Sequence, residues 1–224
     1  MGCHVAFMRR HAKRALDLLL LGLTAPVYGS IFLVAAGAVL AVDGRPVFFQ
    51  QRRVGRGGVP FTVWKLRTMT CERDVAARKA TSLGHQLRRR GLDELPQFMN
   101  VLAGHMSLVG PRPLSLPDTA RLGERVAGFH RRLECVPGIT GLAQVLGTST
   151  ATETLAADLA YAAHRSVAFD AAILACTVVV NAVGKARARP LARGLLRRFI
   201  ASPGDGAPSS PAATLTHRIT SRHG

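Results

Sequence analysis

The feature that most constrains the fold of this chain is an uncharged, largely apolar run near its N-terminus, residues 18–42. A helix needs about 20 such residues to cross the hydrocarbon core of a bilayer, so the run is long enough to lie in a membrane. Basic residues flank it on both sides, with Lys13 and Arg14 before it and Arg52 and Arg53 after it. Positive charge marks the cytoplasmic side of a membrane segment, and a simple crossing satisfies only one of these flanks.

A proline near the middle of the run, Pro26, predicts a kink or a break, because it removes one backbone hydrogen bond and obstructs the preceding turn. Nearby hydroxyl groups, those of Thr24 and Ser30, are candidate partners for the freed backbone groups, since lipid supplies none. The sequence therefore predicts a re-entrant helical hairpin over residues 1–44 that enters and leaves through one leaflet. Hydropathy leaves a kinked single-pass anchor and a secretory signal peptide open as alternatives.

The charge balance predicts an anionic partner. Thirty Lys and Arg residues stand against 13 Asp and Glu among 224 residues, for a formal net charge of +17. Such a chain attracts phosphates, nucleic acid or an anionic membrane face. A hydrophobic content of 48% excludes a wholly disordered polycation. The four cysteines are far apart and contain no C-x-x-C pair, so neither a zinc site nor a disulfide framework is indicated.

The rest of the chain predicts a predominantly helical α+β fold. Short β-prone runs on both sides of the turn-rich residues 51–59 predict a small β-hairpin. Residues 72–90 are mostly helix-compatible, 136–141 indicate a loop, and 153–183 indicate one or two helices. The expected organisation is a membrane segment, a helical cytosolic domain, a basic interfacial segment and a disordered tail, at residues 1–44, 45–185, 186–200 and 201–224.

Two neighbouring acids, Asp93 and Glu94, follow a cationic run at residues 88–90. Acids are favourable at the positive end of a helix, so a helix start is the plain explanation of the pair. The alternative is that both carboxyl groups have a function. Successive side chains on a helix point about 100° apart, so the two carboxyl groups suit different tasks. One carboxylate could then act as a nucleophile while the other binds a divalent cation.

A second candidate is Arg112, which lies in a turn that Gly110, Pro111 and Pro113 make rigid. A planar guanidinium held in a fixed loop can bind two phosphate oxygens at once. A solvated arginine in a surface turn is the alternative.

A series of motifs appears along the chain in a fixed order. In one-letter code they are KRxxD at 13–17, RVGRxGxPF at 53–61, KLRTM at 65–69, LDELPQ at 92–97, NVLxG at 100–104, MSLVGPRP at 106–113 and PGITG at 137–141. Together with the interrupted apolar segment, they resemble the bacterial sugar transferase family, in its small monotopic form. This family consists of polyprenyl-phosphate phosphoglycosyl transferases, and the resemblance covers residues 11–185.

The resemblance implies an activity and its partners. The family transfers a sugar 1-phosphate from a nucleotide sugar, usually a UDP-sugar, to polyprenyl phosphate such as undecaprenyl phosphate, and releases UMP. This reaction starts the assembly of exopolysaccharides and other glycans. A location at the bacterial inner membrane, with the catalytic domain facing the cytoplasm and anionic lipid, is implied as well. A homo-oligomer is left open, and no nucleic-acid partner is expected.

The resemblance also implies roles for individual residues. Asp93 matches the nucleophile that carries the phosphosugar, and Glu94 matches the carboxylate that binds Mg²⁺. Arg88 and Arg112 match basic positions at the phosphates. The membrane hairpin is matched by Lys13, Arg14 and Pro26, and positions of unassigned role are matched by Asp158, Tyr161 and Asp170.

Two positions depart from the family pattern: Val136 stands where Arg is usual, and Leu146 stands where Asn is usual in the QVNG stretch. These changes concern nucleotide or sugar recognition and suggest a catalytically silent scaffold of a glycan assembly complex as an alternative function. The net charge suggests a second alternative, a membrane-tethered nucleic-acid-binding protein. It is the weaker one, because only 5% of the residues are aromatic and could stack on bases.

Overall fold

The computed structural model describes residues 2–74 and 76–201, and within them it is mainly helical with two small sheets. The predicted α+β class with a helical majority is confirmed. The predicted disordered tail lies, from residue 202 onward, outside the described residues. The helices are α1 Gly2–Val42, α2 Ser82–Arg90, α3 Gln97–Leu102, α4 Leu116–Arg125, α5 Leu142–Leu146, α6 Ala151–His164, α7 Val167–Val183 and α8 Lys185–Ala201. The strands are β1 Phe48–Val54, β2 Pro60–Leu66, β3 Ser107–Val109 and β4 Gly138–Thr140.

Helix α1 contains the apolar run and continues through Pro26. The Thr24 hydroxyl donates to the Leu20 carbonyl at 2.7 Å, and the Ser30 hydroxyl donates to the Pro26 carbonyl at 2.7 Å. Bonds of this kind bend a helix without ending it. The separation into two helices is therefore not seen, and the re-entrant path stays a prediction. Among the described residues, His11–Val42 is the one helix with the length and composition to cross a membrane.

The apolar part of α1 contacts the same globular domain at both of its ends. Just before the apolar run, Lys13 Nζ lies 2.5 Å from a carboxylate oxygen of Asp170 in α7. In its middle, the rings of Tyr28 and Phe98 stack with centroids 4.4 Å apart. Near its end, Val39 is fully buried in a cluster with side chains of β2 and α2. One stripe of the helix thus follows the domain, while the remaining apolar side chains of α1 face outward.

The predicted β-hairpin is confirmed. Strands β1 and β2 pair antiparallel, with Phe48 opposite Leu66 and Val54 opposite Pro60. The helix that follows is shorter than predicted, because α2 begins only at Ser82. Its N-cap is Thr81, whose hydroxyl accepts a hydrogen bond from the Gly84 backbone at 2.9 Å. A capping residue of this type supplies a partner for a backbone N–H that has none within the helix.

The predicted loop at 136–141 is wrong in its centre, where β4 pairs in parallel with β3. The strand is only three residues long and is flanked by glycine, which hides it from local patterns. Glycine is needed for this pairing, since a Cβ on Gly138 would lie 2.0 Å from the Gly110 backbone nitrogen. The two segments therefore approach more closely than side chains would permit.

The core lies where α5, α6 and α7 pack against β3 and β4, with Tyr161, Phe169 and Ile173 almost fully buried. Residues 153–183 form parts of two helices, which is one of the two predicted arrangements. Residues 186–200, predicted as a basic interfacial segment, form most of α8. That helix buries Ala188 and Ala192 against the same core.

Candidate active site

The two acids of the site lie on a short 3₁₀ turn, Leu92–Glu94, rather than at the start of the predicted α-helix. The turn follows Gly91, which ends α2 in the left-handed conformation at φ 70°. Successive side chains of a 3₁₀ helix point about 120° apart, so Asp93 and Glu94 have different surroundings. Sequence reasoning expected this division of directions.

Glu94 is held by two cations. Lys65 Nζ and Arg112 Nη2 each lie 2.7 Å from its Oε1 atom. Burial by itself would raise the pKa of Glu94, but Arg112 and then Lys65 overcome that effect and lower the pKa to about 2. Glu94 is therefore an anion at every physiological pH.

Asp93, unlike Glu94, is not held by cations of the described residues. It is 8% exposed and forms no ion pair within the described part of the chain. Burial, followed by the charge of Glu94, raises its pKa, while Lys65 and Arg88 act in the other direction. Two adjacent carboxyl groups whose pKa values are driven apart are suited to different chemical roles.

The predicted arginines lie on the same cavity as the acids. Arg112 is 46% exposed in its side chain and binds Glu94, whereas Arg88 Nε donates to the Thr68 hydroxyl at 2.8 Å. The cavity encloses about 1400 Å³. Its described lining includes ten Lys and Arg side chains, and its only acids are Asp93 and Glu94. Preorganised cations of this kind favour a polyanionic substrate such as a diphosphate.

The structure gives Asp158 a positioning role that the sequence left unassigned. Its carboxylate accepts from Arg132 Nε at 2.9 Å, and both side chains are 2% exposed. A second nitrogen of Arg132, Nη2, donates to the backbone carbonyl of Arg112 at 2.9 Å. The buried ion pair therefore fixes the loop that presents Arg112.

Tyr161 and Asp170 support the strand that leads into this loop. The Tyr161 hydroxyl lies 3.1 Å from the Val109 carbonyl of β3 and 2.8 Å from Asp170 Oδ1. The other oxygen of Asp170 binds Lys13 at 2.5 Å. This chain of contacts connects the N-terminal part of α1 with the strand that precedes Arg112.

The predicted membrane residues have separate positions. Arg14 donates to the carbonyls of Val101 and Leu102 at the end of α3, so it caps that helix. Pro26 is exposed on α1, and neither it nor the basic pair lies on the cavity wall. Lys13 and Arg14 thus join α1 to the domain rather than bind substrate.

Sequence reasoning missed several residues that shape the site. Lys65 is a partner of Glu94, and Arg132 holds the Arg112 loop. Asp17 accepts hydrogen bonds from the Ser107 hydroxyl at 2.7 Å and from the Leu108 backbone at 3.2 Å. Lys65 and Asp17 belong to the motifs that carry the family resemblance, so the sequence marked both positions but did not indicate what they do. Nothing comparable marked Arg132.

The carboxyl groups of Asp93 and Glu94 are the only acids among the described residues that line the cavity, and carboxylate oxygens are ligands that divalent cations accept. The described residues contain no group of three or more His, Cys, Asp and Glu side chains that could hold a metal ion by themselves. Mg²⁺ is usually bound through one or two carboxylates together with substrate phosphates and water. Asp93 and Glu94 provide such a donor set, with Glu94 ionised.

The two positions that depart from the family pattern are not among the described residues that line the cavity. Leu146 is 5% exposed and belongs to the main core, although its neighbours Val145 and Gly147 line the cavity. Val136 is partly buried, and its carbonyl is close to Gly110.

A cationic cavity with a carboxylate pair is the kind of site that enzymes use for phosphate-containing substrates. A family model described as bacterial sugar transferase matches residues 8–184. The chain belongs to the bacterial sugar transferase family, and it is a transferase.

Three relatives illustrate the similarity. The UDP-glucose:undecaprenyl-phosphate glucose-1-phosphate transferase of Caulobacter vibrioides is 39% identical over 181 residues, covering 74% of this chain and 68% of that protein. The protein of the same name from Escherichia coli K12 is 39% identical over 80% of this chain, which spans only 42% of the relative. An uncharacterized sugar transferase of Bacillus subtilis, EpsL, is 41% identical over 66% of this chain and 76% of its own length.

Proposed function

We propose that the chain transfers a sugar 1-phosphate from a UDP-sugar to polyprenyl phosphate and releases UMP. The observation that carries this proposal is the pair Asp93 and Glu94, adjacent in sequence but opposite in electrostatic environment, on a cavity lined with cations. The names of the Caulobacter vibrioides and Escherichia coli relatives, which specify UDP-glucose and undecaprenyl phosphate, support the choice of donor and acceptor.

Asp93 is the proposed nucleophile. A carboxylate oxygen of Asp93 attacks the sugar-bearing phosphorus, an O–P bond forms, and the bond between that phosphorus and the bridging oxygen breaks. The electron pair leaves with UMP. Burial without an ion-pair partner supports this role, since a carboxylate that a cation holds would have to give up that partner first.

The second step regenerates the enzyme. A phosphate oxygen of the lipid acceptor attacks the same phosphorus, the bond to Asp93 breaks, and the carboxylate is restored. The product is a polyprenyl diphosphate sugar. Dividing the transfer into two displacements lets the two anionic substrates react with one side chain in turn.

Charge neutralisation falls to the cations around the acids. Arg112 and Arg88 lie on the cavity wall and can bind diphosphate oxygens, and Lys65 holds Glu94 ionised. Glu94 and the neighbouring Asp93 would hold Mg²⁺ that binds together with the UDP-sugar. The ion would supply additional neutralisation of the diphosphate.

We further propose that α1 lies in one leaflet of the bacterial inner membrane, with the catalytic domain on the cytoplasmic side. Contacts of this one domain with Lys13 near the start of α1, Tyr28 in its middle and Val39 near its end support the proposal. A perpendicular crossing would separate these ends by the width of the bilayer, about 30 Å of hydrocarbon. The site then lies close to the headgroup level, where a lipid phosphate resides.

The test is UMP release from a panel of UDP-sugars in the presence of undecaprenyl phosphate and Mg²⁺. We expect at least one donor, with UDP-glucose tried first, to be turned over. Asp93→Asn should abolish turnover, whereas the exposed control Asp74→Asn should leave it unchanged. Full turnover by Asp93→Asn would overturn the assigned role. A wild-type protein that turns over none of the donors would support the scaffold instead.

A further inference from the structure

The cavity extends from the carboxylate pair to a second wall, which α5, α7 and α8 provide. This wall includes Gln144 of α5, Asn181 of α7 and Arg189 of α8. Arg189 lies in α8, beyond residue 184, where the family match ends. We propose that Arg189 and Gln144 bind the nucleoside portion of the donor. This inference rests on the proposed function and deepens it.

Arg189 is fixed against the backbone at the end of α5. Gly147 ends that helix in the left-handed conformation at φ 68°. A Cβ at Gly147 would lie 2.2 Å from Arg189 Cζ, so the guanidinium occupies the space that a side chain would take. Its Nε atom is buried and has no hydrogen-bond partner within the described part of the chain. A buried donor without a partner costs free energy, which a ligand can recover.

Gln144 presents the complementary group. Its Nε2 atom donates to the Ile139 carbonyl at 3.1 Å, whereas its Oε1 atom is buried and finds no donor among the described residues. Within the described part of the chain, Arg189 Nε is thus an unused donor and Gln144 Oε1 an unused acceptor. A phosphate group has only acceptor oxygens at neutral pH and would leave Gln144 unsatisfied. A pyrimidine base carries both an N–H and carbonyl groups, so it matches the two atoms in hydrogen-bonding type.

The proposed reaction also favours a nucleoside over the sugar at this wall. In phosphoryl transfer the attacking and leaving oxygens lie roughly in line with the phosphorus. UMP therefore leaves on the side opposite Asp93, while the sugar stays attached to the phosphorus that Asp93 attacks. The nucleoside therefore extends away from Asp93, and Arg189 and Gln144 line the same cavity as the carboxylate pair.

Arg193 provides a matched control one turn further along α8. Its Nη2 atom donates to the Leu146 carbonyl at 3.0 Å, close to the C-terminus of α5. A cation at the end of a helix stabilises it by interaction with the helix dipole. Arg193 does not belong to the cavity wall. If the role of Arg189 were merely structural, the two arginines would have similar effects when replaced.

The experiment measures UMP binding by calorimetry to the full chain in lipid nanodiscs, without acceptor. We expect Arg189→Ala to weaken UMP binding roughly 10- to 100-fold, the range for a hydrogen bond to a charged group. Arg193→Ala should keep the wild-type Kd. In turnover, Arg189→Ala should raise KM for the UDP-sugar with kcat nearly unchanged, because this contact is the same in the ground state and the transition state.

Melting temperatures of both variants show whether the fold is retained. If Arg189→Ala does not fold, Arg189→Lys keeps the charge but lacks the Nε–H group, and it should weaken UMP binding as well. An unchanged Kd for UMP would overturn the proposal. Weaker binding of the UDP-sugar to Arg189→Ala with unchanged UMP binding would indicate a sugar subsite and would also overturn the proposal. The same holds if only the KM for polyprenyl phosphate changes. UMP binding without any transfer would refute the proposed function and still test this inference.

Discussion

At the scale of single residues, the central feature is the contrast between two neighbouring carboxyl groups. Glu94 binds Lys65 and Arg112 and has a pKa of about 2, whereas burial and the charge of Glu94 raise the pKa of Asp93. If Asp93 is the nucleophile, it must be deprotonated to react. Turnover should therefore fall as the pH drops through the raised pKa of Asp93, and Glu94 stays ionised in that range.

This pH dependence can be shifted by a single substitution. Lys65 lowers the pKa of Asp93, so Lys65→Met should move the acid limb of kcat/KM to higher pH as well as reduce the rate. Lys79→Met changes an exposed lysine outside the cavity and should leave the limb in place. The measurement is the pH profile of UMP release. A limb that does not move, or moves to lower pH, in Lys65→Met would contradict the assignment to Asp93.

At the scale of elements, the buried pair of Arg132 and Asp158 joins α6 to the loop of Arg112. Removing one partner of a buried ion pair leaves an uncompensated charge and typically costs about 3–5 kcal/mol. Asp158→Ala should lower the free energy of unfolding by about that amount and should also reduce turnover, because the Arg112 carbonyl loses a fixed donor.

A surface pair on α4 is the control for this prediction. Arg121 lies 2.7 Å from Asp118, with side-chain exposures of 60% and 42%. Exposed pairs contribute about 0–1 kcal/mol, so Arg121→Ala should change little. Chemical denaturation of both variants in the same detergent compares them directly. Equal losses of stability would show that Asp158 does not hold a buried pair.

The elements also show what could be predicted from the sequence. Side-chain patterns predicted the β-hairpin and one or two helices over residues 153–183. Residue types and motifs singled out Asp93, Glu94, Arg88 and Arg112, which line one cavity in the structure. Local patterns missed β4, because its partner β3 lies about thirty residues earlier and a three-residue strand has too little pattern of its own. The contacts of Lys65 and Arg132 were missed for the same reason, since they form only when distant segments pack together.

At the scale of the whole molecule, the placement of α1 decides how the enzyme would meet the proposed lipid substrate. The domain contacts both ends of the apolar helix, which predicts that both ends lie on the cytoplasmic side. Tags placed before residue 1 and after residue 224 should both be cleaved by protease in inverted membrane vesicles and both be protected in intact spheroplasts. Opposite accessibility of the two tags would show a single crossing and contradict the monotopic arrangement.

The proposed mechanism requires that Asp93 carries the phosphorylated sugar between the two substrates. Intact-mass spectrometry of the protein after incubation with UDP-sugars and Mg²⁺, but without lipid acceptor, tests this step most directly. We expect a mass increase equal to one sugar phosphate on the wild-type chain, located at Asp93 by fragmentation and lost on addition of polyprenyl phosphate. A wild-type protein that transfers the sugar phosphate without ever forming this adduct, or an Asp93→Asn variant that forms it equally well, would contradict the proposed mechanism.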